Sequence, residues 1–263
     1  LISSGNDITV DAEEGTNVTF NYAFGTGDTI VTKKGMGELF MGGANGASGG
    51  IIVLAGPLTI GHMDALGTGT LTLGEALNKD ILVNLQASGG SKTITNQVDW
   101  VNNSLYILGT DKIRVDGTMN VVMTGDRILD INPGGEFIFG AGVNFSGSGK
   151  LEKTGRGQLT ILNKTNYFTS FDVGAGTIYV GDEVAGSDQG YFTLGVEEEG
   201  YNPLGTGAIT MTGISSQLKL RPGAASHVNI SAKISLSFAV SVAVLDPSAF
   251  SLSLRSPLSG TST

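Results

Sequence analysis

The 263-residue chain has no cysteine, two histidines, one tryptophan and six prolines, and only 15% of its residues are charged. Without cysteine there is no disulfide framework, no thiolate zinc site and no cysteine nucleophile. His62 and His227 stand far apart with no acid cluster of ligand spacing beside them, which leaves no metal site. No apolar run reaches the ~18 residues that a membrane-spanning helix needs. The longest candidate is a strand: Ile234, Leu236, Phe238, Val240, Val242 and Val244 alternate with small residues. The formal net charge is −9, and no Lys/Arg stripe with interleaved aromatics occurs, so nucleic acid is not an expected partner. Residues 1 to 200 hold 23 acids and 11 bases, whereas Asp246 is the one acid of residues 201 to 263, beside four bases.

What the chain does have is glycine, 41 residues of it, without the three-residue period of collagen. Each glycine inside a helix costs about 0.5–1 kcal/mol relative to alanine. Helical periodicity is absent, while short β-rich runs recur, among them Ile8 to Val10, Glu38 to Met41, Leu58 to Ile60, Lys112 to Val115, Phe137 to Phe139 and Gln158 to Leu162. Turn sequences such as Gly42-Gly43, Asp116-Gly117 and Asn132-Pro133-Gly134-Gly135 separate them. The chain is all-β.

Internal repetition selects a β-solenoid over a sandwich or barrel. A shift of 120 residues superposes Gly35-Met36-Gly37-Glu38-Leu39 on Gly155-Arg156-Gly157-Gln158-Leu159, and Val53 to Gly61 on Val173 to Gly181. Leu66-Gly67-Thr68-Gly69 then matches Leu204-Gly205-Thr206-Gly207 at a shift of 138, so the second copy carries 18 extra residues. A stack of rungs tolerates such insertions, because each rung touches only its neighbours. Inward positions would stack into aliphatic ladders built from Leu39 and Met41, Leu58 and Ile60, Leu71 and Leu73, Phe137 and Phe139, and Leu159 and Ile161. With about 20–25 residues per rung and ~4.8 Å between strands, the rod would have about 11 or 12 rungs.

The stretch Gly147-Ser148-Gly149-Lys150-Leu151-Glu152-Lys153-Thr154-Gly155-Arg156-Gly157-Gln158-Leu159-Thr160-Ile161 resembles the autotransporter-associated β-strand repeat of bacterial autotransporter passengers. The second copy also supplies Tyr167 and Val173-Gly174-Ala175-Gly176-Thr177-Ile178-Tyr179-Val180, but departs from the middle block at Asn163, Thr165 and Thr169. The first copy keeps that block as Gly43-Ala44-Asn45 and Gly49-Gly50, with Ala47 in the tyrosine place. The resemblance implies a right-handed, single-stranded parallel β-helix, exported to the Gram-negative cell surface or secreted. Such passengers normally precede an outer-membrane barrel, and none fits after residue 212, so the barrel is expected outside this chain. The chain opens at Leu1 without a signal-peptide pattern, which suits a processed chain or a fragment.

Several motifs touch on chemistry. Gly46-Ala47-Ser48-Gly49-Gly50 fits G-x-S-x-G, yet a β-rich run follows the serine where a nucleophile elbow needs a helix. Ser146-Gly147-Ser148-Gly149-Lys150 lacks the first glycine and the Mg²⁺-binding hydroxyl of a phosphate loop, and Gly25-Thr26-Gly27-Asp28 matches a calcium nonapeptide only once. The main enzymatic alternative, a polysaccharide lyase or hydrolase, would draw on Asp111, Lys112, Arg114, Asp116, Asp126, Arg127 and Asp130. Asp116 beside Asp126 or Asp130, with Arg114, could hold calcium or act as acid and base on a sugar. The insertion within Asp182 to Tyr201 is the candidate partner-binding loop, through Asp188, Tyr191, Phe192, Glu197, Glu198, Glu199 and Tyr201.

These readings converge on one continuous β-helix over residues 1–245, with repeat units near 25–73 and 147–212, a loop insertion near 182–201 and a frayed tail over 246–263. The expected function is that of a non-enzymatic stalk or adhesive scaffold, with no cofactor and no catalytic residue. Its expected partners are a host surface, a glycan or a second copy of itself. A glycan-binding β-helix stands beside the enzyme as the other alternative.

Overall fold

The computed structural model describes residues 7–23, 26–140 and 142–162, and beyond them the strand backbones 170–173, 177–180, 208–211, 217–220, 228–230, 234–236, 252–254 and 259–260. The described residues contain strands and turns but no helix, and every strand pairing among them is parallel. The chain winds as a β-solenoid with three sides.

The first sheet stacks Ile8–Asp11, Ile30–Lys34, Gly50–Val53, Leu71–Leu73 and Val98–Trp100. Met119–Met123 continues beside it, where the Val98 N–H donates to the Thr118 carbonyl at 2.9 Å, and pairs in turn with Val143–Gly147. The second sheet has 11 strands, beginning with Asn17–Phe20, Glu38–Met41, Gly56–Ile60, Val83–Ala87, Ser104–Leu108, Arg127–Ile131 and Lys150–Thr154. The third sheet stacks Lys92–Ile94, Ile113–Val115, Glu136–Phe139, Gln158–Ile161, Thr177–Val180 and Gln217–Leu220. One rung thus runs from the first sheet to the second and third and back to the first, one strand above.

Alternation decides what fills the interior. In the second sheet Leu39 pairs with Leu58, Leu58 with Leu85, Leu85 with Ile107 and Ile107 with Ile131, and each of these is buried. Their outward neighbours Phe40, Thr59 and Gln86 form the matching outer row. The expected ladder residues Leu39, Met41, Leu58, Ile60, Leu71, Leu73, Phe137, Phe139, Leu159 and Ile161 all belong to one core cluster. Rings interlock within that core: Phe137 and Phe139 meet edge to face at 5.1 Å, Phe139 and Phe145 at 5.0 Å, and Trp100 and Phe145 at 6.4 Å.

The two sequence copies occupy different sides of the rod. In the first, Ile30–Lys34, Gly50–Val53 and Leu71–Leu73 lie in the first sheet, and Glu38–Met41, Gly56–Ile60 and Val83–Ala87 lie in the second. In the second copy, Lys150–Thr154, Ser170–Val173 and Ala208–Met211 lie in the second sheet, and Gln158–Ile161, Thr177–Val180 and Gln217–Leu220 lie in the third. The cross-rung registers correspond: Lys33 to Val53 to Leu73 in one copy, Lys153 to Val173 to Met211 in the other. The repeated unit is therefore two strands and the corner between them, stacked three deep and reused one side further round. Toward the end of the chain, Val228–Ile230 pairs with Leu252–Leu254, and Ile234–Leu236 with Ser259–Gly260.

Because interior rings interlock, Phe139→Ala should cost about 3–5 kcal/mol in denaturant unfolding. Val122→Ala, at a side chain 62% exposed on the outside of the rod, should change stability by less than about 0.5 kcal/mol.

Candidate functional site

In several corners a polar side chain reaches backbone carbonyls from inside the rod. Lys33 is fully buried, and its ammonium donates to the carbonyls of Lys34 at 3.0 Å, Gly35 at 2.5 Å and Ala55 at 2.8 Å. Lys153 is its counterpart one side further round, donating to the carbonyls of Thr154 at 2.7 Å and Gly155 at 2.8 Å. The glycines of these corners, Gly35 (φ 71) and Gly155 (φ 68), have left-handed backbones, and a Cβ on either would run into the preceding rung, at Ala12 or Ile131.

The same device recurs with other residues. Lys92 donates to the carbonyls of Ser88 at 2.7 Å and Gly90 at 2.8 Å, and the Asn96 amide donates to those of Gly67 at 3.0 Å and Gly69 at 2.7 Å. Arg127 Nη1 donates to the carbonyls of Val101 at 3.0 Å and Asn102 at 2.7 Å and to Asn103 Oδ1 at 3.1 Å. Asn102, fully buried, holds the neck of the excursion between Leu73 and Val83, accepting from the Glu75 N–H at 3.2 Å and donating to the Ile81 carbonyl.

The candidate acid–base set is not assembled. Asp116 pairs with Arg114 Nε at 2.6 Å where the chain leaves the third sheet. Asp126 accepts from the Lys150 N–H at 3.0 Å where the chain enters the second sheet. Between them lies the strand Met119–Met123, roughly 15 Å of extended backbone. Asp130 is four residues beyond Asp126 along one strand, about 13 Å, and accepts from Thr154 Oγ1 at 2.7 Å. Asp111 accepts from the Gly90 N–H at 3.0 Å, and Lys112 pairs with Glu136 at 3.4 Å. Carboxylates here tie one rung to the next, as Glu136 also does by accepting from Thr160 at 3.0 Å and Glu38 by accepting from Thr59.

Among the described residues no group of three His, Asp or Glu side chains is placed to hold a metal ion. Ser48 lies between the strands Gly46–Ala47 and Gly50–Val53, and its hydroxyl donates to the Gly27 carbonyl at 2.8 Å. His62 Nδ1 accepts from the Asp64 N–H at 3.1 Å on an exposed turn. Asp188, Tyr191, Phe192, Glu197, Glu198, Glu199, Tyr201 and His227 lie outside the described residues.

No family model, curated protein or solved structure matches this chain. The chemistry within the rod is therefore read from its own residues, and its most unusual members are the buried cations. Sequence reasoning passed over Lys33 and Lys153, although strand parity puts them on the same side as Val31 and Leu151, which is the inside.

Burial pushes Lys33 and Lys153 down to about 8, against the raising fields of Asp11 and Asp130 respectively. An unfolded lysine titrates near ~10.4, so between about pH 8 and 10.4 the unfolded chain holds more protons than the folded one, and stability rises with pH across that window. Below about pH 8 both states are protonated and burial of the charge costs most. Lys33→Met should lower stability by about 1–3 kcal/mol at pH 7 by orphaning the corner carbonyls. The deficit relative to wild type should grow between pH 8 and 10; denaturant midpoints across that range check it, and a deficit that shrinks contradicts it.

Proposed function

We propose that this chain is part of a secreted or cell-surface passenger of a Gram-negative bacterium, a non-enzymatic stalk and adhesive scaffold whose outer-membrane barrel lies outside these residues. The observation that carries this reading is that the parallel stack keeps its register across an excursion. Leu71–Leu73 and Val83–Ala87 stay paired in their sheets although residues 74–82 loop outward between them. Asn102 grips the base of that loop. Further along it the Asn103 N–H donates to the Lys79 carbonyl at 2.9 Å, and Asn103 Nδ2 donates to Asp80 at 2.8 Å. Leu77 at its tip is 98% exposed. A rod that holds its rungs while corners carry loops is suited to presenting contact surfaces at a distance from a membrane.

Three further features support the reading. The outer carboxylates serve as ties between rungs and do not converge on one place. The glycine-rich corner motif, shared by both copies, resembles the passenger repeat at Gly35, Gly37, Gly155 and Gly157. Absence of cysteine suits a chain that crosses an outer membrane before folding.

Adhesion should reside in the acidic, aromatic insertion. Deleting residues 182–201 should abolish binding on an array of glycans and host-matrix proteins while far-ultraviolet circular dichroism keeps its β signal. Undiminished binding by the deletion variant removes the loop from the account, and turnover of an arrayed polysaccharide would favour the lyase or hydrolase alternative.

A further inference from the structure

Asn45 is followed by Gly46, and no other asparagine of the chain precedes a glycine. It stands in the corner block Gly43-Ala44-Asn45 and is 7% exposed. Its side-chain oxygen accepts from the Ala47 N–H at 3.0 Å in a buried contact, while its Nδ2 is buried without an acceptor among the described residues. The bend is an Asx turn, and the loop closed by its hydrogen bond contains both Asn45 Cγ and the Gly46 nitrogen. The main chain around it is held as well. The Asn45 N–H donates to the Asp64 carbonyl at 2.9 Å, and Gly46–Ala47 pairs with Thr26–Gly27.

Other asparagines are tied at the end that Asn45 leaves free. Nδ2 of Asn96 donates to the carbonyls of Gly67 and Gly69, and Nδ2 of Asn102 to that of Ile81. Asn103 makes the closest contrast, because a small residue, Ser104, follows it. Both ends of its amide are engaged: Nδ2 donates to Asp80 at 2.8 Å, and Oδ1 accepts from Arg127 at 3.1 Å.

A side-chain amide is lost as ammonia when the next backbone nitrogen attacks its carbonyl carbon. The attack is favoured by a nitrogen whose residue has no side chain, by a donor on the carbonyl oxygen where negative charge develops, and by a leaving nitrogen that no hydrogen bond retains. Gly46 supplies the first of these and the Ala47 N–H the second, at a distance that suits an oxyanion. The orphaned Nδ2 supplies the third, since its departure breaks no bond to the protein and removes an unsatisfied buried donor.

We propose that Asn45–Gly46 is a self-modification site, at which Asn45 passes through a cyclic succinimide to isoaspartate and aspartate. The Gly46 nitrogen bonds to Asn45 Cγ and gives up its proton, the Cγ–Nδ2 bond breaks, and Nδ2 leaves with that proton as ammonia. Solvent water then adds to one of the two ring carbonyls and reopens the ring. Addition at Cγ gives aspartate; addition at the backbone carbonyl gives isoaspartate, whose main chain runs through Cβ. Either product puts a carboxylate where a buried neutral amide stood, so the corner records the age of the rod.

Wild-type protein is aged in mildly alkaline buffer, folded and in parallel unfolded in guanidinium chloride. Tandem mass spectrometry follows deamidation at Asn45 and Asn103, with electron-transfer fragmentation separating isoaspartate from aspartate. Folded Asn45 should convert at least as fast as unfolded Asn45 and yield isoaspartate, whereas folding should slow Asn103 several-fold. Gly46→Ala should slow conversion of folded Asn45 several-fold. Should that variant fail to fold, the folded-to-unfolded rate ratios at Asn45 and Asn103 in the wild type decide the matter. A ratio below one at Asn45, a ratio there no higher than at Asn103, or aspartate formed without isoaspartate overturns the proposal.

Discussion

A chain that turns three times per rung must find partners for the backbone carbonyls at its bends, and at several bends those carbonyls face the buried interior. Leaving one such group unsatisfied costs about 1–3 kcal/mol, repeated at corner after corner along the rod. The molecule meets this constraint from within. Lys33, Lys92 and Lys153 donate from the interior to corner carbonyls, and Asn96, Asn102 and Arg127 do the same with amide and guanidinium groups. With the corners held, the strands between them pair in parallel and the aliphatic ladders close around a continuous core.

This arrangement explains how one motif serves two different corners. Lys33 with Gly35 and Lys153 with Gly155 share one local geometry: the lysine occupies an inward strand position and closes the bend that follows it. Nothing in that geometry depends on which side of the rod the strand belongs to, so the unit works between the first and second sheets and equally between the second and third. It also separates fold from function. Interior polar groups maintain the corners, and outward carboxylates join rung to rung through Thr59, Thr154 and Thr160.

The solenoid was legible in the chain because its two periodicities are both local. Alternation in stretches such as Leu39-Phe40-Met41 and Leu71-Thr72-Leu73 marks the inside, and the repeated Gly-x-Gly marks the bend. The rotation of the second copy by one side was not legible, since an offset of 120 residues counts positions and not corners, and the excursion over 74–82 alters how many residues make a rung. The same uncertainty in register hid the partners of Asp116, Asp126 and Asp130, which depend on residues one rung away. Lys33 and Lys153 were readable from strand parity. Arg127 was readable in the same way, beside Leu129 and Ile131 on its strand, whereas Asn102 was not, because a polar residue flanking a turn reads as solvated unless the carbonyls that face it are known.

The most direct measurement is nitrogen-15 spectroscopy of the lysine side chains across a pH titration. Inward ammonium groups bonded to corner carbonyls predict Nζ signals for Lys33 and Lys153 that exchange slowly with solvent and titrate near 8, apart from the exposed lysines. Uniformly fast exchange, with every lysine titrating near ~10.4, would contradict the account and return the corners to solvent.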